Sequence, residues 1–209
     1  MLASGQNVRK GKIMTLIPAF EIGLWNAWLL MLYLPLHPLI MILIDKAVGT
    51  GDILKKMGTP LAPSNKTQKR VSNLFTPVIC VAFIYSIFLP LKLGTIWLYI
   101  GLPIYLLGLI MFIIPMANIA TTPHGEPFTK GLYRCSRHPM YLWGNVIHIG
   151  VSIASASWVF LLLTIAIIIL QLSLAIAEER GCLEKYGDAY REYMNRTPRW
   201  IGIPKSRGK

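Results

Sequence analysis

Segment 127–143 carries the densest group of side chains that could do chemistry, with Arg137 and His138 directly before Pro139. Proline disfavours a helical conformation in the residue before it but suits the first helical turn, so we expect a helix to begin at Pro139 with His138 outside it. Free backbone N–H groups and the positive end of the helix dipole meet a guanidinium and an imidazole there. This pattern predicts a site for a carboxylate or phosphate. We favour that interpretation over anchoring of Arg134 and Arg137 to lipid headgroups.

Polar side chains continue from this site along one face of the predicted helix. Tyr141, Asn145 and His148 recur at i, i+4 and i+7. Polar groups at that depth in a membrane need hydrogen-bond partners. Asn145 and His148 are therefore interpreted either as substrate-binding groups of a pocket or as structural links between helices, and the spacing leaves both open.

Two adjacent carboxylates, Glu178 and Glu179, stand where a long apolar segment ends. The C-terminal end of a helix is its negative end, which is unfavourable for acidic side chains and indicates a cationic partner. Neighbouring helical residues point about 100° apart, so one glutamate can face the bundle while the other reaches an arginine or solvent. A solvated pair at a helix exit is the simpler alternative.

Helical spacing continues beyond the glutamates into a polar tail. Its markers are Leu183, Tyr186, Gly187, Asp188, Tyr190, Tyr193, Arg199 and Trp200. Gly187 is predicted to end one helix and Asp188 to be the N-cap of another. The tail is interpreted as an amphipathic cytosolic helix with its tyrosines at the membrane interface, and Arg199 and Trp200 follow as a further anchor. For Tyr186 the interfacial role is favoured over a catalytic one.

These groups must be positioned by membrane helices, because about 20 consecutive apolar residues cross a hydrocarbon core of about 30 Å. The sequence predicts an all-α, polytopic bundle of about five such helices, near residues 17–44, 74–91, 96–118, 140–156 and 158–177. Pro35 and Pro38 make the first region either one kinked helix or a hairpin. The last two helices are predicted to form a tight hairpin packed through small residues. We expect one membrane domain, 1–209, with N-terminal helices in 1–118 and the cofactor-binding region in 119–200.

Composition and charge agree with this class. The chain is 54% hydrophobic and only 14% charged, unlike a soluble globule, and its formal net charge is +12. The basic residues lie between apolar runs, where the positive-inside bias explains them better than nucleic-acid binding does. In a five-helix arrangement, 17 of the 21 Lys and Arg residues and eight of the nine acidic residues fall on one side. That side, with the active site, is predicted to face the cytoplasm.

Other motifs are weak. The three cysteines, Cys80, Cys135 and Cys182, lack the spacing of a zinc site or a disulfide framework. The N-terminal apolar stretch is long and lacks a small-residue cleavage site, so a removed signal peptide is not predicted. We expect no metal and no nucleic-acid partner.

The two polar segments together resemble the C-terminal signature of isoprenylcysteine carboxyl methyltransferases and the related phospholipid N-methyltransferases. The residues that carry this resemblance are Gly131, Tyr133, Arg137, His138, Pro139, Tyr141, Glu178, Glu179, Leu183, Tyr186, Gly187, Tyr190, Tyr193 and Arg199. It covers residues 127–200, a little over a third of the chain, with no resemblance beyond hydropathy before residue 115. One departure is Trp143, which stands where the family often has glycine, with Gly144 next.

The resemblance implies a membrane methyltransferase that uses S-adenosylmethionine and a lipophilic, membrane-embedded substrate, such as a prenylcysteine carboxylate or a phospholipid amine. The implied cofactor-binding residues are Tyr133, Arg137, His138, Pro139, Tyr141, Glu178 and Glu179. Glu178, Glu179, Tyr190 and Arg199 are the implied catalytic residues, and Tyr193 joins Asn145 and His148 as a substrate-binding candidate. The physical pattern is compatible, because the start of the helix suits a carboxylate and the paired glutamates suit cations.

Two alternatives remain. Membrane sterol and isoprenoid reductases have a similar Arg-His-x-x-Tyr stretch, so an NADPH-dependent reductase is the enzymatic alternative, although those chains are typically larger. A non-enzymatic scaffold or small transporter is the other, but only Glu21 is both deep and charged. The methyl-accepting atom and the oligomeric state cannot be read from the sequence.

Overall fold

The structure, a computed structural model, describes residues 21–48, 51, 53, 56 and 66–203. Within these residues all regular structure is helical, apart from an isolated β-bridge between Asn26 and Pro90. The predicted all-α membrane bundle is confirmed as a class. The predictions for residues 1–20, including the signal-peptide question, fall outside the described residues.

Seven α-helices are described, together with one 3₁₀ turn. In chain order they are α1 (Trp28–Met31), α2 (Tyr33–Val48), α3 (Lys66–Ile87), α4 (Ile96–Thr121), the 3₁₀ turn (Gly131–Arg134), α5 (Pro139–Ala154), α6 (Trp158–Tyr186) and α7 (Asp188–Arg196). Apolar runs of this length favour helices in a membrane, because a helix satisfies its own backbone hydrogen-bonding groups.

The helices run between two ends of the bundle. The turn end comprises residues 21–27, 88–95 and 154–157, where Ala27 N donates to Leu89 O at 2.8 Å and Lys92 N donates to Ala154 O at 3.1 Å. The charged end comprises the described residues 44–48, 51, 53 and 56 together with 116–138 and 178–203, and Lys56 Nζ donates there to Ala120 O at 3.0 Å. The α1–α2 segment, α3, α4, α5 and α6 therefore make five passes in alternating directions.

Four of these passes are long and apolar enough to cross a membrane. They are Trp28–Val48, Lys69–Ile87, Ile96–Thr121 and Trp158–Tyr186. The predicted count of five membrane helices is not confirmed, because α5 has 16 residues and is only about 24 Å long at 1.5 Å per residue.

The first predicted membrane region is one kinked segment where it is described. α1 and α2 are separated only at Leu32, and Leu36 N donates to Leu32 O at 3.1 Å across that break. Pro38 lies inside α2. Since Trp28–Val48 runs from the turn end to the charged end, the hairpin alternative does not apply to these residues.

Glycines allow the backbones of α4 and α5 to approach each other closely. A Cβ on Gly101 would lie 2.3 Å from Ala154 N, and one on Gly150 would lie 2.6 Å from Tyr105 N. Neither position can accept a side chain without separating the helices. The predicted small-residue hairpin between α5 and α6 does form, with Ser157 accepting from Phe160 N as the N-cap of α6. α5 therefore packs closely on both neighbours, on α4 through Gly101 and Gly150 and on α6 through the hairpin.

The C-terminal tail forms the predicted amphipathic helix. α6 continues unbroken to Tyr186, Gly187 takes a left-handed φ of 57°, and α7 begins at Asp188 with Gly187 as its N-cap. Tyr190 and Tyr193 of α7 are buried within the protein, and the position of the tail's tyrosines at the membrane interface stays a prediction. The rings of Tyr190 and Tyr193 pack on the bundle because α7 folds back against α6 and the charged end.

Candidate active site

A cavity of about 370 Å³ opens at the charged end and extends into the bundle. This volume suits a small-molecule site. The charged half of the cavity is lined by Lys56, Tyr133, Arg137, His138, Tyr141, Glu178, Cys182, Lys185, Tyr186, Tyr190 and Tyr193. The membrane half is lined by Tyr33, Leu34, Phe75, Ile79, Phe112, Gly144, His148 and Gln171. The cavity therefore joins an ionic surface to an apolar one.

The Arg137–His138 site is held in place by the chain's C-terminal segment. His138 is non-helical and Pro139 is the first residue of α5, as predicted. Arg137 N donates to Pro198 O at 3.0 Å, and Gly202 N donates to Cys135 O at 3.1 Å. The segment after α7 thus pairs with the loop before α5. This pairing explains how residues more than 60 positions apart in the chain build one surface.

Glu179 is the buried centre of an ionic cluster. Its side chain is 4% exposed, and Arg199 binds it with two hydrogen bonds, from Nε to Oε1 at 2.9 Å and from Nη2 to Oε2 at 2.7 Å. Arg137 Nε lies 3.3 Å from Oε1, and His138 Nε2 lies 3.2 Å from the same oxygen. The predicted cationic partner of the glutamate pair is therefore present, and Glu179 is the residue it holds. Neither Glu179 nor Arg199 lines the cavity.

Glu178 has the opposite environment. Its side chain is 45% exposed and lines the cavity, with His138 Nδ1 at 3.5 Å from Oε2. Because adjacent helical residues diverge by about 100°, the two glutamates separate into an accessible carboxylate and a buried one. The structure thereby decides which glutamate faces the cavity.

His138 bridges the two glutamates and is packed between aromatic rings. The Tyr141 ring is stacked on it at 5.4 Å with an interplanar angle of 8°, and the Trp200 ring lies 5.8 Å away. Burial lowers the pKa of His138, but hydrogen bonds to Glu178 and Glu179 outweigh burial and raise it above the ordinary value of 6.5. Trp200, predicted as a membrane anchor, here restrains the imidazole.

Three buried tyrosines, Tyr133, Tyr190 and Tyr193, also line the charged half of the cavity. Tyr193 donates through its hydroxyl to Tyr133 O at 2.6 Å, and the Tyr190 and Tyr193 rings are 5.6 Å apart. Burial raises the pKa of Tyr133, Tyr190 and Tyr193 above the ordinary value of 10. These phenols stay neutral near pH 7, so they can donate hydrogen bonds but do not act as bases.

The polar face predicted on α5 is only partly in the cavity. Tyr141 and His148 line it, whereas Asn145 does not and Gly144 does. Measured from Tyr141 at about 100° per residue, Gly144 and His148 point to one side and Asn145 to the other. The cavity lies on the Gly144 side. Trp143 does not line it either, so Gly144 is the small residue that faces the cavity.

Several lining residues were missed from the sequence. On α6, Gln171, Glu178, Cys182 and Lys185 share one face at helical spacing, and this periodicity could have identified Gln171 and Cys182. Tyr186 also lines the cavity, and its predicted interfacial role stays a prediction. Tyr33, Lys56, Phe75 and Phe112 come from other helices, and their sequence neighbourhoods give no comparable signal.

No candidate metal-binding site is found in the part of the chain that the structure describes. No group of three or more His, Cys, Asp or Glu side chains is arranged there to hold a metal ion. The acidic and basic groups of the charged end pair with one another instead.

Comparison with known proteins shows a similarity that includes the site. Residues 99–189 match the family model described as phospholipid methyltransferase. The match begins in α4, so it corrects the expectation that residues before 115 carry no resemblance, and it includes Arg137, His138, Glu178 and Glu179. No curated protein and no solved structure matches the chain. Residues 99–189 are therefore similar to phospholipid methyltransferases, and the four apolar helices long enough to span a membrane agree with a membrane protein of that kind.

Proposed function

We propose that this protein transfers a methyl group from S-adenosylmethionine to a lipophilic acceptor dissolved in the membrane, of the prenylcysteine carboxylate or phospholipid amine type. One observation carries the proposal: a single cavity joins the ionic residues of the charged end to an apolar interior between the helices. A water-soluble, charged methyl donor and a lipid acceptor need opposite environments that meet at one place.

The residues of the charged half fit this cofactor. The Arg137 side chain contacts Glu179 through Nε, so the outer nitrogens of its guanidinium can bind a carboxylate beside the N-terminus of α5. Glu178 is accessible and can bind an ammonium group. The rings of Tyr133, Tyr190 and neighbouring residues offer an aromatic and apolar wall for a purine.

The cofactor, when bound, supplies a methyl group carried on a positively charged sulfonium. The protein's own task is then to align donor and acceptor and to exclude water. Glu178 contributes negative charge at the cavity surface, and Tyr190 contributes a neutral hydroxyl. Glu179 and Arg199 act as positioning residues, because neither faces the cavity. Glu179 holds Arg137 and His138, and Arg199 holds Glu179.

The acceptor reaches the cavity from the side. Leu34 of α2 and Phe75 and Ile79 of α3 line the membrane half. Within the described residues, α2 packs mainly on α4 and α3 packs mainly on α6, so α2 and α3 are not packed closely together. A lipid chain can pass between them without leaving the hydrocarbon region.

The charged end faces the cytoplasm in this proposal, since it collects most of the Lys and Arg residues. Cysteine labelling in sealed vesicles tests the orientation. In a variant whose other cysteines are replaced, exposed Cys135 of the charged end should react only from the cytoplasmic side. In the matched variant, a cysteine at exposed Leu93 of the turn end should react only from the other side. Reaction of both from one side would contradict the proposed crossing.

Calorimetry with the purified protein tests the cofactor. S-adenosylmethionine should bind and NADPH should not, and a radiolabelled methyl group should appear in an extracted membrane lipid. Binding of NADPH without S-adenosylmethionine would overturn the proposal in favour of a membrane reductase. Binding of neither would favour a scaffold or transporter.

A further inference from the structure

The membrane half of the cavity contains three polar side chains in an otherwise aromatic and aliphatic surface. Tyr33 of α2, His148 of α5 and Gln171 of α6 are each at least nine-tenths buried, and all three line the cavity. Three different helices therefore each contribute a buried polar side chain to the membrane half of the cavity. Burying polar groups in an apolar region is unfavourable unless they are hydrogen-bonded.

Tyr33 and His148 are hydrogen-bonded to each other, but His148 Nδ1 and Gln171 Oε1 have no hydrogen-bond partner among the described residues. The Tyr33 hydroxyl and His148 Nε2 share a hydrogen bond of 3.1 Å. An orphaned buried carbonyl oxygen in a cavity wall is an acceptor that lacks a donor, and a ligand that supplies the donor would remove its cost.

We infer that Gln171, with the Tyr33–His148 pair, forms a polar subsite for a neutral hydrogen-bond donor, a hydroxyl or an amide N–H, within the apolar part of the methyl acceptor. This inference rests on the proposed function and narrows its substrate class. The acceptor is a functionalised lipid rather than one whose buried part is only hydrocarbon.

The position of the subsite sets where this donor lies in the lipid. Gln171 precedes Glu178 by seven residues on α6, which is roughly 10 Å along the helix axis. The donor group of the lipid therefore lies roughly 10 Å deeper than the carboxylate at the charged half. A protonated amine is disfavoured at that depth, because Tyr33, His148 and Gln171 offer it no carboxylate.

Two matched probes test the subsite without requiring methyl transfer. 1-Hexadecanol carries a hydroxyl donor, whereas 1-methoxyhexadecane has the same chain and no donor. Their binding to the purified full-length protein in detergent is measured from the concentration dependence of Tm. The wild-type protein should prefer the alcohol roughly fivefold. Gln171→Met keeps similar volume and removes the acceptor, so it should abolish the preference.

Controls separate the subsite from folding and from the cofactor. Thr164→Val changes a buried, hydrogen-bonded residue of the same helix that does not line the cavity, and it should keep the preference. Tyr33→Phe is the second test variant should Gln171→Met fail to fold, and it should weaken the preference. S-adenosylmethionine affinity should be unchanged in both test variants.

Equal binding of the two probes to the wild type, or an unchanged preference in Gln171→Met, would overturn the inference. Failure of S-adenosylmethionine to bind the wild type would remove the proposed function, but the two-probe comparison would still decide whether the subsite exists.

Discussion

The charged half of the cavity is organised by ion pairs, whereas the membrane half is organised by packing around a few neutral polar groups. In the charged half, Glu179 contacts Arg137, His138 and Arg199 together. In the membrane half, Tyr33 and His148 share one hydrogen bond among Phe75, Phe112 and their neighbours. A change of charge should therefore disrupt the first half strongly, and changes in the second half should alter ligand preference more than stability.

The largest effect is expected for Glu179→Gln. The substitution leaves Arg137 and Arg199 without their shared carboxylate, so stability should fall by about 2 to 3 kcal/mol, less than for a fully buried pair. The expected loss is smaller than for a fully buried pair because the Arg199 side chain is 37% exposed and water screens its interaction with Glu179. Thermal unfolding in detergent measures it, with Glu178→Gln as the matched control. Equal loss of Tm in the two variants would contradict the assignment of Glu179 as the structural centre.

Glu178→Gln should have the next largest effect, on binding rather than on folding. Its accessible carboxylate is proposed to meet the cofactor's ammonium, so S-adenosylmethionine affinity should fall roughly tenfold, about 1.4 kcal/mol, while Tm stays nearly constant. Calorimetry on the folded variant measures the affinity. Wild-type affinity and turnover in this variant would return Glu178 to a solvated surface role.

A pH dependence follows from the raised pKa of His138. A group whose folded pKa exceeds its unfolded value stabilises fully below the unfolded value, and the stabilisation is lost as pH rises through the folded value. The contribution of His138 should thus be complete below about pH 6.5 and decline above it. Its charged neighbours are Glu178, Glu179 and, through Glu179, Arg137 and Arg199.

Unfolding midpoints measured from pH 5.5 to 8.5 for wild type and His138→Gln test this dependence. The difference between the two proteins should shrink as pH rises. A difference that grows with pH would show that the histidine is stabilised in its neutral form, contrary to the ion-pair geometry. His138→Ala should also weaken cofactor binding while the protein stays folded.

The smallest effect is expected for Asn145→Leu. Asn145 does not line the cavity, and its Oδ1 is buried without a partner among the described residues. Removing the amide should therefore change the free energy of unfolding, measured by thermal unfolding, by no more than about 0.5 kcal/mol. Lipid methylation measured with His148→Leu provides the contrast. A larger loss of turnover in Asn145→Leu than in His148→Leu would show that the cavity lies on the other face of α5.

The sequence by itself determined the class of fold and the composition of the charged half. Long apolar runs can only be helices in a membrane, and the start of α5 follows from the conformational restriction that proline imposes on His138. The pairing of adjacent carboxylates with a cation was also predictable, because acidic side chains are unfavourable at a helix C-terminus. These inferences depend on local geometry and on charge.

Only the tertiary structure decided what depends on the relative rotation and separation of helices. It placed Glu178 in the cavity and Glu179 behind it, and it turned Gly144 rather than Asn145 toward the cavity. It also buried Tyr190 and Tyr193 against the bundle, a contact that the amphipathic pattern of their helix does not reveal. Such features are set by contacts between segments far apart in the chain, as when Tyr33 meets His148 across 115 residues. Helical periodicity defines a face but does not reveal which neighbour that face meets.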